Sequence, residues 1–129
     1  MFRLFYFIFI LAFSVSTFGN SEIYGTYKKY VEDGVYSILT VEKNGENGVF
    51  ISMSCERGGP TYNSGLIEKT PLKLNGNSVR YNEVYNKEEP CTIDIEFSEK
   101  GATVNQVSGY GAYCGFGFNV MCDGEFIKQ

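Results

Sequence analysis

Histidine and tryptophan are absent from this chain of 129 residues. Without histidine, Ser-His and Cys-His nucleophile systems cannot be assembled, and most zinc sites lose their commonest ligand. Positive charge is also in short supply, with 11 Lys and Arg against 15 Asp and Glu. Phosphate contacts require a basic surface, so this balance argues against nucleic acid and admits a cationic partner. The same negative charge also serves plain solubility. Long apolar runs are missing except for Leu4 to Phe13, which falls short of the roughly 18 to 20 residues that a membrane-spanning helix needs.

That run has the layout of an export signal. Arg3 supplies a minimal positive start, and Ser14-Val15-Ser16-Thr17-Phe18-Gly19 supplies small residues for cleavage. Thr17 and Gly19 occupy the two positions where small side chains are required, so residues 1–19 are expected to be removed and the mature chain to start at Asn20. A cut after Ser16 is the alternative. No cysteine lies near either cut, so no lipid anchor is indicated. The remainder, 20–129, is 110 residues long, enough for one domain with a modest core. Since the removed segment carries Arg3 and no acid, the net charge moves from −4 to −5.

All four cysteines, Cys55, Cys91, Cys114 and Cys122, lie in this mature part. An even count in a short exported chain reads as two disulfides, in any of three pairings. Cys114 to Cys122 with Cys55 to Cys91 is one of them, because the seven residues between Cys114 and Cys122 could form a hairpin. Periplasmic or secreted localisation follows from the signal and the cysteines together, with no membrane association after cleavage.

Alternation of apolar and polar residues gives the fold class. Cys91, Ile93, Ile95 and Phe97 alternate with Thr92, Asp94 and Glu96, as in a half-buried strand. A turn at Ser98-Glu99-Lys100-Gly101 would set Phe97 opposite Ala102 and Ile95 opposite Val104. Upstream, Leu39 and Val41 share parity with Val49, Ile51 and Met53. Two odd-numbered sets meet across a hairpin only if the loop holds an odd number of residues, so a three-residue loop within Asn44-Gly45-Glu46-Asn47 is expected, with Gly45 or Asn47 at positive φ. Residues 22–30 read as a strand despite Tyr at 24, 27 and 30. Residues 65–69 and 71–74 read as two short pieces, with Pro71 marking an edge or a bend. Asn75-Gly76 reads as a hairpin turn into a strand over 78–85. Gly25-Thr26-Tyr27-Lys28-Lys29 echoes Gly124-Glu125-Phe126-Ile127-Lys128, as expected where first and last strands pair to close a barrel. The dense run from Cys114 to Phe126 mixes glycine, aromatics and two cysteines, and suits the closing corner of such a barrel. The expected fold is all-β: a small antiparallel β-barrel or strongly curved sheet of about eight strands, stapled by disulfides, with Ile93, Ile95, Phe97, Val104, Leu39, Val41, Ile51 and Met53 in the core.

Catalytic signals are sparse. Asp94 and Glu96 share one strand face, but a glycosidase pair flanks a cleft from different elements, and the alternation makes these two an ordinary solvated face. Asp123-Gly124-Glu125 lacks the further acids of a calcium loop, and no cofactor or metal is expected. Tyrosine is more informative: Tyr62, Tyr110 and Tyr113 fall in glycine-flanked loops. They suit either an interface, where Tyr buries large area at low rotamer cost, or the covering of a barrel mouth.

Over residues 91–128, the Cys-x-Ile-x-Ile-x-Phe strand followed by Cys114-Gly115-Phe116-Gly117, Asn119-Val120 and then Gly124, Phe126 and Lys128 resembles a pattern in small exported bacterial β-domains. That resemblance covers about a third of the mature chain and implies a Cys91 to Cys114 bridge, which leaves Cys55 for Cys122. More faintly, the chain is similar to bacterial inhibitors of c-type lysozyme, exported disulfide-bearing barrels that insert a Ser-Gly-x-x-Tyr hairpin into the lysozyme cleft. Here the corresponding run is Ser108-Gly109-Tyr110-Gly111-Ala112-Tyr113, with its second Tyr one residue late. The resemblance implies a binding protein of the cell envelope with Ser108, Tyr110 and Tyr113 as contact residues; the acidic charge adds a cationic protein such as a lysozyme as partner, and a monomer is expected. A small carboxylate-dependent hydrolase and a structural envelope protein without ligand are the alternatives.

Overall fold

Period-2 alternation carries most of the architecture. The computed structural model describes residues 22–84, 90–108, 114–117 and 119–129. The expected export signal, 1–19, lies outside them. Eight strands follow one another: β1 (Gly25–Glu32), β2 (Val35–Asn44), β3 (Gly48–Glu56), β4 (Ser64–Lys73), β5 (Ser78–Glu83), β6 (Cys91–Phe97), β7 (Gly101–Ser108) and β8 (Gly124–Lys128). All ladders are antiparallel, in the order β4-β3-β2-β1-β8-β7-β6-β5, and the sheet curls into a nearly closed barrel.

Register follows parity. Leu39 lies opposite Met53 and Val41 opposite Ile51, across a loop of three residues, 45–47, in which Gly45 takes φ 68°. Phe97 lies opposite Ala102 and Ile95 opposite Val104. All eight expected core residues are buried, together with Ile23, Tyr27, Val49, Ile67, Val79, Tyr81 and Phe126. At the centre Tyr27 packs against Phe97 with ring centroids 5.9 Å apart, and its hydroxyl donates to the Ile23 carbonyl at 2.6 Å.

Three expectations need correction. First and last strands do pair, Tyr27 opposite Lys128 and Lys28 opposite Ile127, but their ladder lies in the middle of the sheet, so the edges fall elsewhere, at β4 and β5. Residues 64–73 form one strand, not two pieces. A register shift near Glu68 to Thr70 absorbs the irregularity, and Pro71 is tolerated because β4 is an edge. The turn at Asn75 exists, with Asn75 bridged to Ser78, yet β4 and β5 do not form a ladder. Leu74 N–H donates to the Asn47 carbonyl, whereas Phe97 N–H donates to the Asn77 carbonyl and the Asn77 side-chain amide donates to the Phe97 carbonyl. The two sides of the turn are therefore drawn to different neighbours, and β5 ends at Glu83.

Two disulfides close one end of the barrel: Cys91–Cys114, from the start of β6, and Cys55–Cys122, from the end of β3. Both ends of the run from Cys114 to Cys122 are thus anchored at this mouth, and Phe116 and Val120 of that run are buried. Such bridges fit an oxidising compartment.

Candidate functional site

In an antiparallel meander, alternate loops emerge at the same end. The turn after β1, the 57–63 loop, the exit of β5, the end of β7 and the run leading into β8 all lie at the disulfide-closed end. Acids gather there: Glu32, Asp33, Glu56, Glu83 and Asp123, against Arg57 and the half-buried Lys29. Toward the opposite end Lys43, Lys73, Lys100 and Lys128 are balanced by Glu22, Glu42, Glu46, Glu96 and Glu99. The less balanced excess of acid therefore lies at the disulfide-closed end.

Tyrosine follows the same division. Among the described residues, the exposed tyrosines are Tyr30, Tyr36 and Tyr62, at 60%, 42% and 63% exposure, and all three sit toward the acidic end. Tyr30 and Tyr36 face each other across the β1–β2 ladder, edge to face at 5.9 Å, and the Tyr30 hydroxyl donates to Asp33 at 3.0 Å. That bond to the carboxylate, the largest cause, pushes the Tyr30 hydroxyl above its ordinary pKa. Tyr62 has positive φ, 51°, inside a loop held by Tyr62 N–H to the Gly58 carbonyl at 2.9 Å and Arg57 N–H to the Asn63 carbonyl at 3.0 Å. Gly59 N–H donates to Glu32 at 2.5 Å, which ties the loop to the end of β1, and Gly58 takes φ 84°, a conformation that favours glycine.

Below this rim the mouth is fastened from inside. Lys29 shares the inward face of β1 with Tyr27 and donates to the Asp123 carbonyl, while the Asp123 carboxylate accepts from Gln106 N–H. Burial pushes the Lys29 ammonium below its ordinary pKa, and the charge of Asp123 partly offsets this. Gln106 also reaches Cys114 Sγ at 3.4 Å. Buried Ser37, opposite Lys29, accepts from Glu56 N–H at 2.9 Å.

Ser108 is the last residue of β7, opposite Thr92, and Cys114 is bonded to Cys91, the neighbour of Thr92. Both flanks of the run carrying Tyr110 and Tyr113 are thereby fixed to the start of β6. Tyr110 and Tyr113 themselves lie outside the described residues. Tyr30, Tyr36 and the acid cluster were not singled out from the sequence. Their common end becomes readable only after β1 and β2 are paired, because residues 30 and 36 look unrelated until a turn joins them.

Asp94 and Glu96 lie on the outer wall, away from this end. Arg80 donates to Asp94 through Nε at 2.7 Å and Nη2 at 2.8 Å, and this hydrogen bonding holds the carboxyl below its usual range. A carboxyl so held is poorly suited to donate a proton at neutral pH. Among the described residues no three acids or cysteines converge as metal ligands.

No family model matches the chain, and no curated protein or solved structure matches it.

Proposed function

We propose that the mature chain is an exported, monomeric binding protein of the periplasm or the extracellular space. It engages a cationic protein through the tyrosine-rich acidic end, without catalysing a reaction. One observation carries this reading: the exposed tyrosines Tyr30, Tyr36 and Tyr62 coincide with Glu32, Asp33, Glu56, Glu83 and Asp123 at the end closed by both disulfides. Tyrosine supplies rigid amphipathic contact area and a ring face for Lys or Arg, and the carboxylates steer such a partner in. Ser108 ends β7 opposite Thr92 at this same end, and Tyr110 and Tyr113 are proposed as contact residues on the sequence resemblance alone. A lysozyme is the first partner to test, on charge and on the resemblance of Ser108 to Tyr113.

Titration calorimetry of the mature protein against c-type, g-type and i-type lysozymes, at low and physiological salt, tests this. Binding is expected to weaken with salt, because charges about 10 Å apart are largely screened at 0.1 M. Replacing a buried tyrosine anchor among Tyr62, Tyr110 and Tyr113 by Ala should cost at least about 2 kcal/mol, some thirtyfold in affinity. Absence of heat with every lysozyme at low salt would remove lysozyme as partner. Affinity unchanged by all three substitutions and by Tyr30→Ala and Tyr36→Ala would place the contact elsewhere. Intact-mass analysis of exported protein should show a chain starting at Asn20.

A further inference from the structure

The barrel does not zip shut. β4 pairs with β3 and β5 with β6, and among the described residues no ladder joins β4 to β5. Between them runs an open slot of about 340 Å³ lined by Leu66, Glu68, Thr70, Tyr81 and Glu83. Edge strands carry rows of backbone donors and acceptors without strand partners, and proteins usually blunt them. Here the lower part of β4 is blunted by the irregularity at Glu68 to Thr70, where the Thr70 hydroxyl donates to the Glu68 carbonyl at 2.7 Å, and by Pro71. β5 has no proline and its ladder to β6 is unbroken from Ser78 to Glu83. Tyr81 is buried beside the slot, whereas Leu66 stays 64% exposed on the opposite lip.

We propose that this slot takes up an extended, lysine- or arginine-bearing peptide segment of another protein, added as a further strand along β5. Backbone hydrogen bonds to the edge supply register, and exposed Leu66 supplies apolar contact. The charge of the occupant follows from the lips: Glu68 on β4 and Glu83 on β5 are both exposed carboxylates, so a cationic strand is drawn in. A second copy of this chain is disfavoured by the same groups, because edge-to-edge pairing would bring like charges together. The slot meets the acidic end at Glu83, but its occupant is held by backbone pairing along β5, which the tyrosine end does not need, so the N-methylated peptide tells the two sites apart.

The test uses the full mature protein and a short fluorescent peptide of alternating lysine and valine, with fluorescence anisotropy for affinity and hydrogen exchange for location. Binding is expected, with slowed exchange of the β5 amides. The double variant Glu68→Lys with Glu83→Lys should weaken binding by at least about tenfold, through reversal of both lip charges. Glu99→Lys, at the opposite end of the barrel, should weaken it far less. A peptide N-methylated at alternate residues should lose binding to the parent protein, a comparison that involves no folding of a variant. Absence of binding, equal affinity for the N-methylated peptide, equal weakening by Glu99→Lys, or protection mapping outside β4 and β5 would each overturn the proposal.

Discussion

Gly65 has no room for a side chain. A Cβ there would lie 2.4 Å from Phe116 Cγ and Cδ1, because the aromatic ring lies directly on the β4 backbone where Gly117 N–H also bonds the Ser64 carbonyl at 3.0 Å. Gly65→Ala is therefore expected to destabilise the protein by about 1 to 3 kcal/mol through overpacking, measured as a lower urea midpoint at unchanged m-value. Tyr27 gives a second residue-scale prediction. Burial raises its hydroxyl above the ordinary 10.0, so the native state keeps a proton that the unfolded state loses above that pH. Stability is full below pH 10.0 on this account and falls as pH rises toward the folded-state value. Lys29, with its pKa lowered below 10.5, works in the opposite direction: the unfolded state holds the proton more tightly, so its contribution improves with rising pH up to that value. Tyr27→Phe should flatten the alkaline decline relative to the parent and should cost about 1 to 2 kcal/mol at neutral pH by leaving the Ile23 carbonyl without its donor. Denaturant titrations of both proteins between neutral and strongly alkaline pH check the two effects together.

Strand registers show what the sequence makes legible and what it hides. Parity alone determines that 45–47 is a three-residue loop. Deleting Glu46 should set Leu39 and Val41 against the outward face of β3, and the variant should lose cooperative unfolding and near-ultraviolet dichroism. The β6–β7 register and the Gly-x-aromatic echo of the two terminal strands were readable for the same reason: side-chain alternation is local and periodic. Alternation is silent about which two strands will be left unpaired. Asn75-Gly76 looks like any tight hairpin, and only Asn77 bonding to Phe97 while Leu74 bonds to Asn47 pulls its arms apart. Spacing likewise left the cysteine pairing open, and only the C-terminal pattern pointed to the pairs observed. Tyr62 was visible as a glycine-flanked loop residue, whereas Tyr30 and Tyr36 were hidden inside strands.

For the whole molecule, the disulfides are nested: Cys91–Cys114 spans 23 residues and lies inside the 67 spanned by Cys55–Cys122. On the chain-entropy account, removing the outer bridge should cost about 4 kcal/mol and the inner about 3 kcal/mol. Thermal unfolding of Cys55→Ser with Cys122→Ser, against Cys91→Ser with Cys114→Ser, should rank them in that order. The position of β8 has a consequence for the timing of folding. It is the ladder that connects β1–β4 to β5–β7, and it is the last strand in the chain. A chain emerging from its N-terminus can build two separate meanders, but it cannot join them until β8 has followed. Truncation before Gly124 should therefore yield two half-sheets with no cooperative transition between them, read by thermal unfolding followed by circular dichroism.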